Sequence, residues 1–171
     1  MEKGSMLSVL TRVVRDLPQL LAAPDRFQSL DINYEPPRVE RLWCSYDDYR
    51  VNLHRIHPCD KALFHPHPWP SAVKILSGVY EMEVGWGLEP NEDWAPPVAT
   101  TLLLTTGSSY EMIDPNGWHS VRPILGPSLS VMVTGRLWQR HIEKRPIDKL
   151  RPLSNEAVQD LLEAFRWWVA R

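Results

Sequence analysis

The sequence predicts a mainly β protein, a sandwich or closed barrel, with a helical segment at its start and a helix at its end. Three observations predict it. Between Arg38 and Gly135 the chain breaks into about eight short runs rich in β-branched and aromatic residues, separated by Gly, Pro, Asn or Asp. Sixteen prolines against 8 glycines and 8 tryptophans describe short segments with large aromatic surfaces to bury. Helical spacing of apolar residues is confined to the two ends.

Taken in order, Met6, Leu7, Leu10, Val13, Val14 and Leu17 recur with helical period while Arg12, Arg15 and Asp16 fall opposite, which predicts an amphipathic helix that Pro18 bends or ends. The stretch "AAPDRFQSLDINYEPPRVE" keeps no period and reads as a connector with room for a short helix. The predicted strands are "RVERLWCSY", "YRVNLHRIH", "AVKILSG", "VYEMEVGW", "ATTLLLT", "SSYEMI", "WHSVRPI" and "SLSVMVTG". Between the fourth and fifth, "GLEPNEDWAPP" is too rich in proline and charge for a strand and reads as a surface loop. The close, "SNEAVQDLLEAFRWWVAR", offers Ser154 as N-cap and places Val158, Leu161, Leu162, Phe165 and Val169 on one face. The division is residues 1–37 for the helix and connector, 38–140 for the β-body and 141–171 for the tail and last helix, packed as one domain.

A formal net charge of -2 and the lack of a basic run argue against nucleic acid and anionic membrane as partners. Charges interrupt the apolar residues of the N-terminus, so it forms neither a signal-peptide core nor a membrane span, and a cytoplasmic location is expected. Cys44 and Cys59 form no CxxC pair, which excludes a cysteine-rich metal site and any need for disulfides.

The chemistry concentrates in histidine. In "ALFHPHPWPSAVKILSG", His65 and His67 are two residues apart, so on extended backbone their side chains point the same way. Pro66 and Pro68 favour extended conformation at the residues preceding them, the two histidines themselves. On this pair alone, a solvated His-Pro loop and a ligand pair are equally good readings. About fifty residues on, "DPNGWHSVRP" places His119 just after an Asn-Gly turn, where it is either a packed histidine or a third ligand.

His-x-His before an apolar strand ending at a glycine, followed by a turn and a third histidine, resembles the two motifs of the cupins, over roughly Tyr49 to Gly135. The resemblance implies a double-stranded β-helix barrel with a metal held inside by His65, His67 and His119. Two departures bear on it. Cupins usually place a glutamate seven residues before the motif's glycine, and counting back from Gly78 that place holds Ser71. The turn before His119 is also one residue shorter than the common pattern. Glu81 and Glu83 lie beyond Gly78, where solvated or cross-strand roles are expected. Three neutral imidazoles leave a divalent ion its full charge and favour anionic ligands. Iron(II) at such a site supports oxygen chemistry, whereas zinc(II) activates water.

Among three-histidine cupins the pattern is most similar to the thiol dioxygenases such as cysteine dioxygenase, which share a "GxHxV" frame with "GWHSV" here. Their Ser-x-His-x-Tyr relay is reduced to Ser130, Met132 and Thr134, and the cysteine that some members cross-link has no counterpart at Ser71. The resemblance therefore supports a three-histidine iron site more than a thiol substrate.

Arg50 and Arg55 are candidates to bind a substrate anion, with Arg136 and Arg140 as further cations and surface roles as the bland reading of each. Tyr80 and Tyr110 are candidate hydrogen-bond donors to the reacting species, and Trp69 and Trp118, beside the ligands, candidate walls of a pocket, with packing the alternative in each case. Trp86 also flanks the motifs. His54 and His57 have opposite parity on one strand, so both cannot face a barrel interior, and His141 lies in a charged tail. The expected function is an iron(II) dioxygenase of a small anionic molecule, with dioxygen as second substrate. The alternatives are a non-catalytic metal- or ligand-binding barrel and a zinc-dependent hydrolase, lyase or isomerase. Cupins commonly pair through barrel strands, which extends to a homodimer by resemblance only.

Overall fold

The computed structural model describes residues 5–88, 95–138 and 149–171. Within them, helix α1 spans Met6–Leu21, with the Ser5 hydroxyl accepting from the Leu7 N–H at its start. It buries Val9, Leu10, Val13, Leu17, Leu20 and Leu21. Pro18 lies inside it and the helix continues to Leu21, because burial of Leu20 and Leu21 outweighs the one backbone bond that proline forgoes.

The connector holds more structure than its pattern suggests. A 3₁₀ turn, Pro24–Arg26, leads into β1 (Gln28–Ile32), which pairs antiparallel with β2 (Val39–Tyr46). β3 (Tyr49–Ile56) follows a two-residue turn in which Asp47 adopts φ 51°. The remaining strands are β4 (His65–Pro66), β5 (Ser71–Ser77), β6 (Val79–Trp86), β7 (Val98–Thr105), β8 (Ser109–Met112), β9 (Gly117–Pro123) and β10 (Ser128–Thr134), before helix α2 (Asn155–Val169). All eight expected strands are present, and β1 and β4 are added. Arg140, His141 and most of the proline-rich insertion lie outside the described residues.

The strands form two antiparallel sheets, β1-β2-β3-β10-β5-β8 and β4-β9-β6-β7. Gly78 makes the step from one sheet to the other at φ 95°, where a Cβ would come within 2.8 Å of Ser128 Cβ. On the larger sheet, alternate residues face opposite ways. Leu42, Cys44, Val51, Leu53, Ala72, Leu76, Val131 and Val133 join α1 and α2 in one apolar core on the outer face. The inner face carries Asn52, His54, Ser71, Ser128, Ser130 and Thr134, all buried. A small apolar cluster of Ile75, Tyr80 and Met82 fills part of the space between the sheets. Among the described residues no helix is long and apolar enough to cross a membrane.

Candidate metal centre

β4 and β9 run antiparallel with His65 directly opposite His119, and His67 follows two residues later on the same side. Ring centroids lie 5.4 Å apart for His65 and His67, 5.1 Å for His65 and His119, and 4.5 Å for His67 and His119. One nitrogen of each ring falls within 4.8 Å of the others, and among the described residues no cysteine, aspartate, glutamate or further histidine joins this group. His67 and His119 are buried and His65 is partly so.

The protonation pattern follows from the partners. His65 Nδ1 lies 3.0 Å from the Leu63 carbonyl oxygen, an acceptor only, so Nδ1 carries a proton and Nε2 is the nitrogen left for a metal. His67 Nδ1 lies 2.9 Å from Ser71 Oγ. Nε2 of His67 and Nε2 of His119 are 2.9 Å apart. At that distance one ring donates its Nε2–H to the lone pair of the other. Burial, and to a lesser degree His65, holds the pKa of His119 well below the usual imidazole range, so its ring is neutral near neutral pH. Three imidazoles converging on one point, that of His119 held neutral by burial, fit a divalent metal.

No family model matches the sequence, and no curated protein matches it. Solved structures do match in fold. Fe(II)-HppE with its alternative substrate (S)-1-HPP aligns with TM-score 0.51 and 16% identity over 65% of this chain and 57% of its own. Hydroxypropylphosphonic acid epoxidase from S. wedmorenis gives 0.49 and 17% over 65% and 56%, and KdgF from Halomonas sp. gives 0.46 and 14% over 62% and 87%. The chain thus spans a little over half of the HppE chain, 57%. The fold is that of a cupin.

Within this cupin barrel, Tyr110 approaches the histidines: its ring centroid lies 6.1 Å from that of His119. Tyr80, fully buried, donates from its hydroxyl to that of Tyr110 at 3.5 Å. Burial pushes the Tyr110 phenol up to about 12, against a smaller opposite effect of the Tyr80 hydrogen bond, and burial raises Tyr80 well above its usual value. Both remain protonated across the physiological range.

The arginines separate. Register places Arg50 in one row with Thr134 and Ser71, on the inner face, and its guanidinium lies 4.2 Å from the Trp43 ring centroid, exposed at the rim. Arg55, five residues on, faces the other way, toward α2, where it pairs with Glu40 at 3.2 Å and Asp160 at 2.7 Å. It is a structural cation on the helix side of the sheet, and the structure does not bring it to the histidines. Arg136 is exposed and 3.5 Å from Asp48.

Trp118 alternates with His119, so it points out of the barrel and packs on Phe64 with ring centroids 5.6 Å apart. It does not wall the histidine side of β9. Trp69 is half-buried two residues beyond His67, and Trp86 is exposed with its Nε1 donating to Asp114 at 3.1 Å. Glu81 and Glu83 also point outward, to Arg122 at 2.9 Å and to the Ser120 hydroxyl at 2.9 Å, away from the histidines. His54 faces the interior and accepts from Arg41 Nε at 2.9 Å, while His57 meets Glu40 at 2.9 Å outside it.

Proposed function

We propose that this cupin is an iron(II)-dependent oxygenase that holds its metal through His65, His67 and His119 and oxidises a small anionic molecule with dioxygen. The observation that carries the reading is the set of three imidazoles, with no carboxylate grouped with them among the described residues. Such a set leaves a divalent ion its full charge, which favours anionic substrates and keeps positions open for them. When bound, iron(II) supplies the one-electron chemistry through which dioxygen reacts with organic molecules.

The chain's own residues would do the rest. Arg50, on the Ser71 row at the rim, would orient the substrate anion. Tyr110, protonated beside His119 and backed by Tyr80, would donate a hydrogen bond to developing negative charge. Trp69 would cover an apolar part of the substrate and help exclude water. Holding both reactants in adjacent positions lowers the barrier chiefly through proximity.

Elemental analysis of anaerobically purified protein, followed by oxygen uptake with thiols, small carboxylates and phosphonates, tests the reading. Iron with substrate-dependent oxygen uptake is expected. Zinc with oxygen-independent turnover, or a stably bound metal with no turnover on any member of the panel, would replace it with one of the other two readings.

A further inference from the structure

Ser71 stands where a cupin usually supplies a carboxylate, and its hydroxyl has another task. Its Oγ lies 2.9 Å from Nδ1 of His67, and the residue is fully buried. Its backbone is pinned between two neighbours, opposite Thr134 of β10 and Met112 of β8, so the hydroxyl cannot be carried away from the ring without breaking the sheet. An imidazole that offers its Nε2 lone pair must keep its proton on Nδ1, and a buried N–H left without an acceptor is costly.

The three ligands are oriented by different means. His65 uses the Leu63 carbonyl, which substitution does not reach, and the buried Nδ1 of His119 has no hydrogen-bond partner among the described residues. His67 has the Ser71 hydroxyl at hydrogen-bond distance from its Nδ1, a side-chain partner that substitution can reach.

We infer that Ser71 is a positioning residue for the metal centre: it accepts from His67 Nδ1–H, fixing tautomer and ring plane, and does so without adding negative charge. A carboxylate at the same place would orient the ring or ligate, and would in either role lower the charge that the centre presents to a substrate. The hydroxyl separates orientation from charge, which suits a site selecting anions. This inference rests on the metal-centre reading above.

The test compares wild type with Ser71→Ala and Ser71→Thr. Long-range proton–nitrogen correlation spectra of metal-free protein report the His67 tautomer, and titration with cobalt(II) reports affinity, with circular dichroism checking the fold. Wild type is expected to show His67 protonated at Nδ1. In Ser71→Ala that preference is lost and cobalt(II) binds about 10–100-fold more weakly, while Ser71→Thr, which keeps the hydroxyl, retains both properties. A folded Ser71→Ala with unchanged tautomer and unchanged cobalt(II) affinity would overturn the inference and leave the metal centre standing. Failure of wild type to bind cobalt(II), zinc(II) or iron(II) overturns the metal centre and the inference together, and the wild-type titrations alone reveal it.

Discussion

His119 shows how burial prepares a ligand. Its ring is taken out of water between two sheets, which penalises the charged form and leaves a neutral imidazole next to His67. Removing it deletes one of three donors, so His119→Ala is expected to purify with little or no metal while keeping its β-rich circular dichroism; retention of a full equivalent of metal would remove His119 from the centre. Tyr110 is the complementary case, a group kept protonated to about 12 by the same burial. In Tyr110→Phe, oxygen uptake is expected to fall by about two orders of magnitude with metal content unchanged, as loss of a positioned proton donor commonly does. The fold should lose about 1–3 kcal/mol as well, because the Tyr80 hydroxyl then lacks its acceptor. Chemical denaturation and oxygen-electrode measurements separate the two effects.

At the scale of elements, the strands that carry the site were legible for different reasons. Each long strand announces itself by β-branched runs, yet β4 is only two residues long and one of them is Pro66. It was legible through the restriction proline places on the residue before it. β1 was not legible: its sequence QSLDI alternates weakly and stays partly exposed, and its pairing with β2 and the backbone bond from Asp31 N–H to Arg151 are long-range facts. The division of Arg50 and Arg55 between faces follows from their odd spacing, and that of Trp118 and His119 from adjacency. Ser71 meeting His67 needed β5 in place. β4 is also held from outside the barrel, where Phe64, packed on Trp118, sits over Gly85 of β6. A Cβ at Gly85 would lie 2.8 Å from Phe64 Cζ and 2.9 Å from the Pro97 carbonyl oxygen. Gly85→Ala should therefore cost about 1–3 kcal/mol of stability, the usual range for overpacking. It should also weaken cobalt(II) binding by shifting the residue next to His65. Urea denaturation and metal titration check both, and unchanged metal affinity in a destabilised protein would mean that β4 is positioned without Phe64.

Over the whole molecule, stability and chemistry occupy opposite faces of one sheet. The helices bury a large apolar core on the outer face, tied across it by Trp168 Nε1–H to the Leu76 carbonyl at 2.9 Å and by Arg55 to Asp160. The inner face is thereby free to carry hydroxyls, amides and histidines that a minimal apolar core would not tolerate. That arrangement makes the fold sensitive to acid through His54, which burial first and Arg41 second hold neutral, with a pKa well below the usual imidazole value. Its strand neighbours on the inner face are Arg41 on one side and Ser130 on the other, so nothing in that row offsets a proton taken up there. Between the depressed folded pKa and the unfolded value near 6.5, the unfolded chain binds a proton that the folded chain refuses. Stability from this residue is therefore unaffected above about pH 6.5 and falls as pH drops below it, by up to about 1.4 kcal/mol per pH unit. Urea midpoints between about pH 7 and pH 5 should decline more steeply for wild type than for His54→Gln, which keeps an acceptor for Arg41 and does not titrate. Parallel declines in the two proteins would show that acid acts elsewhere.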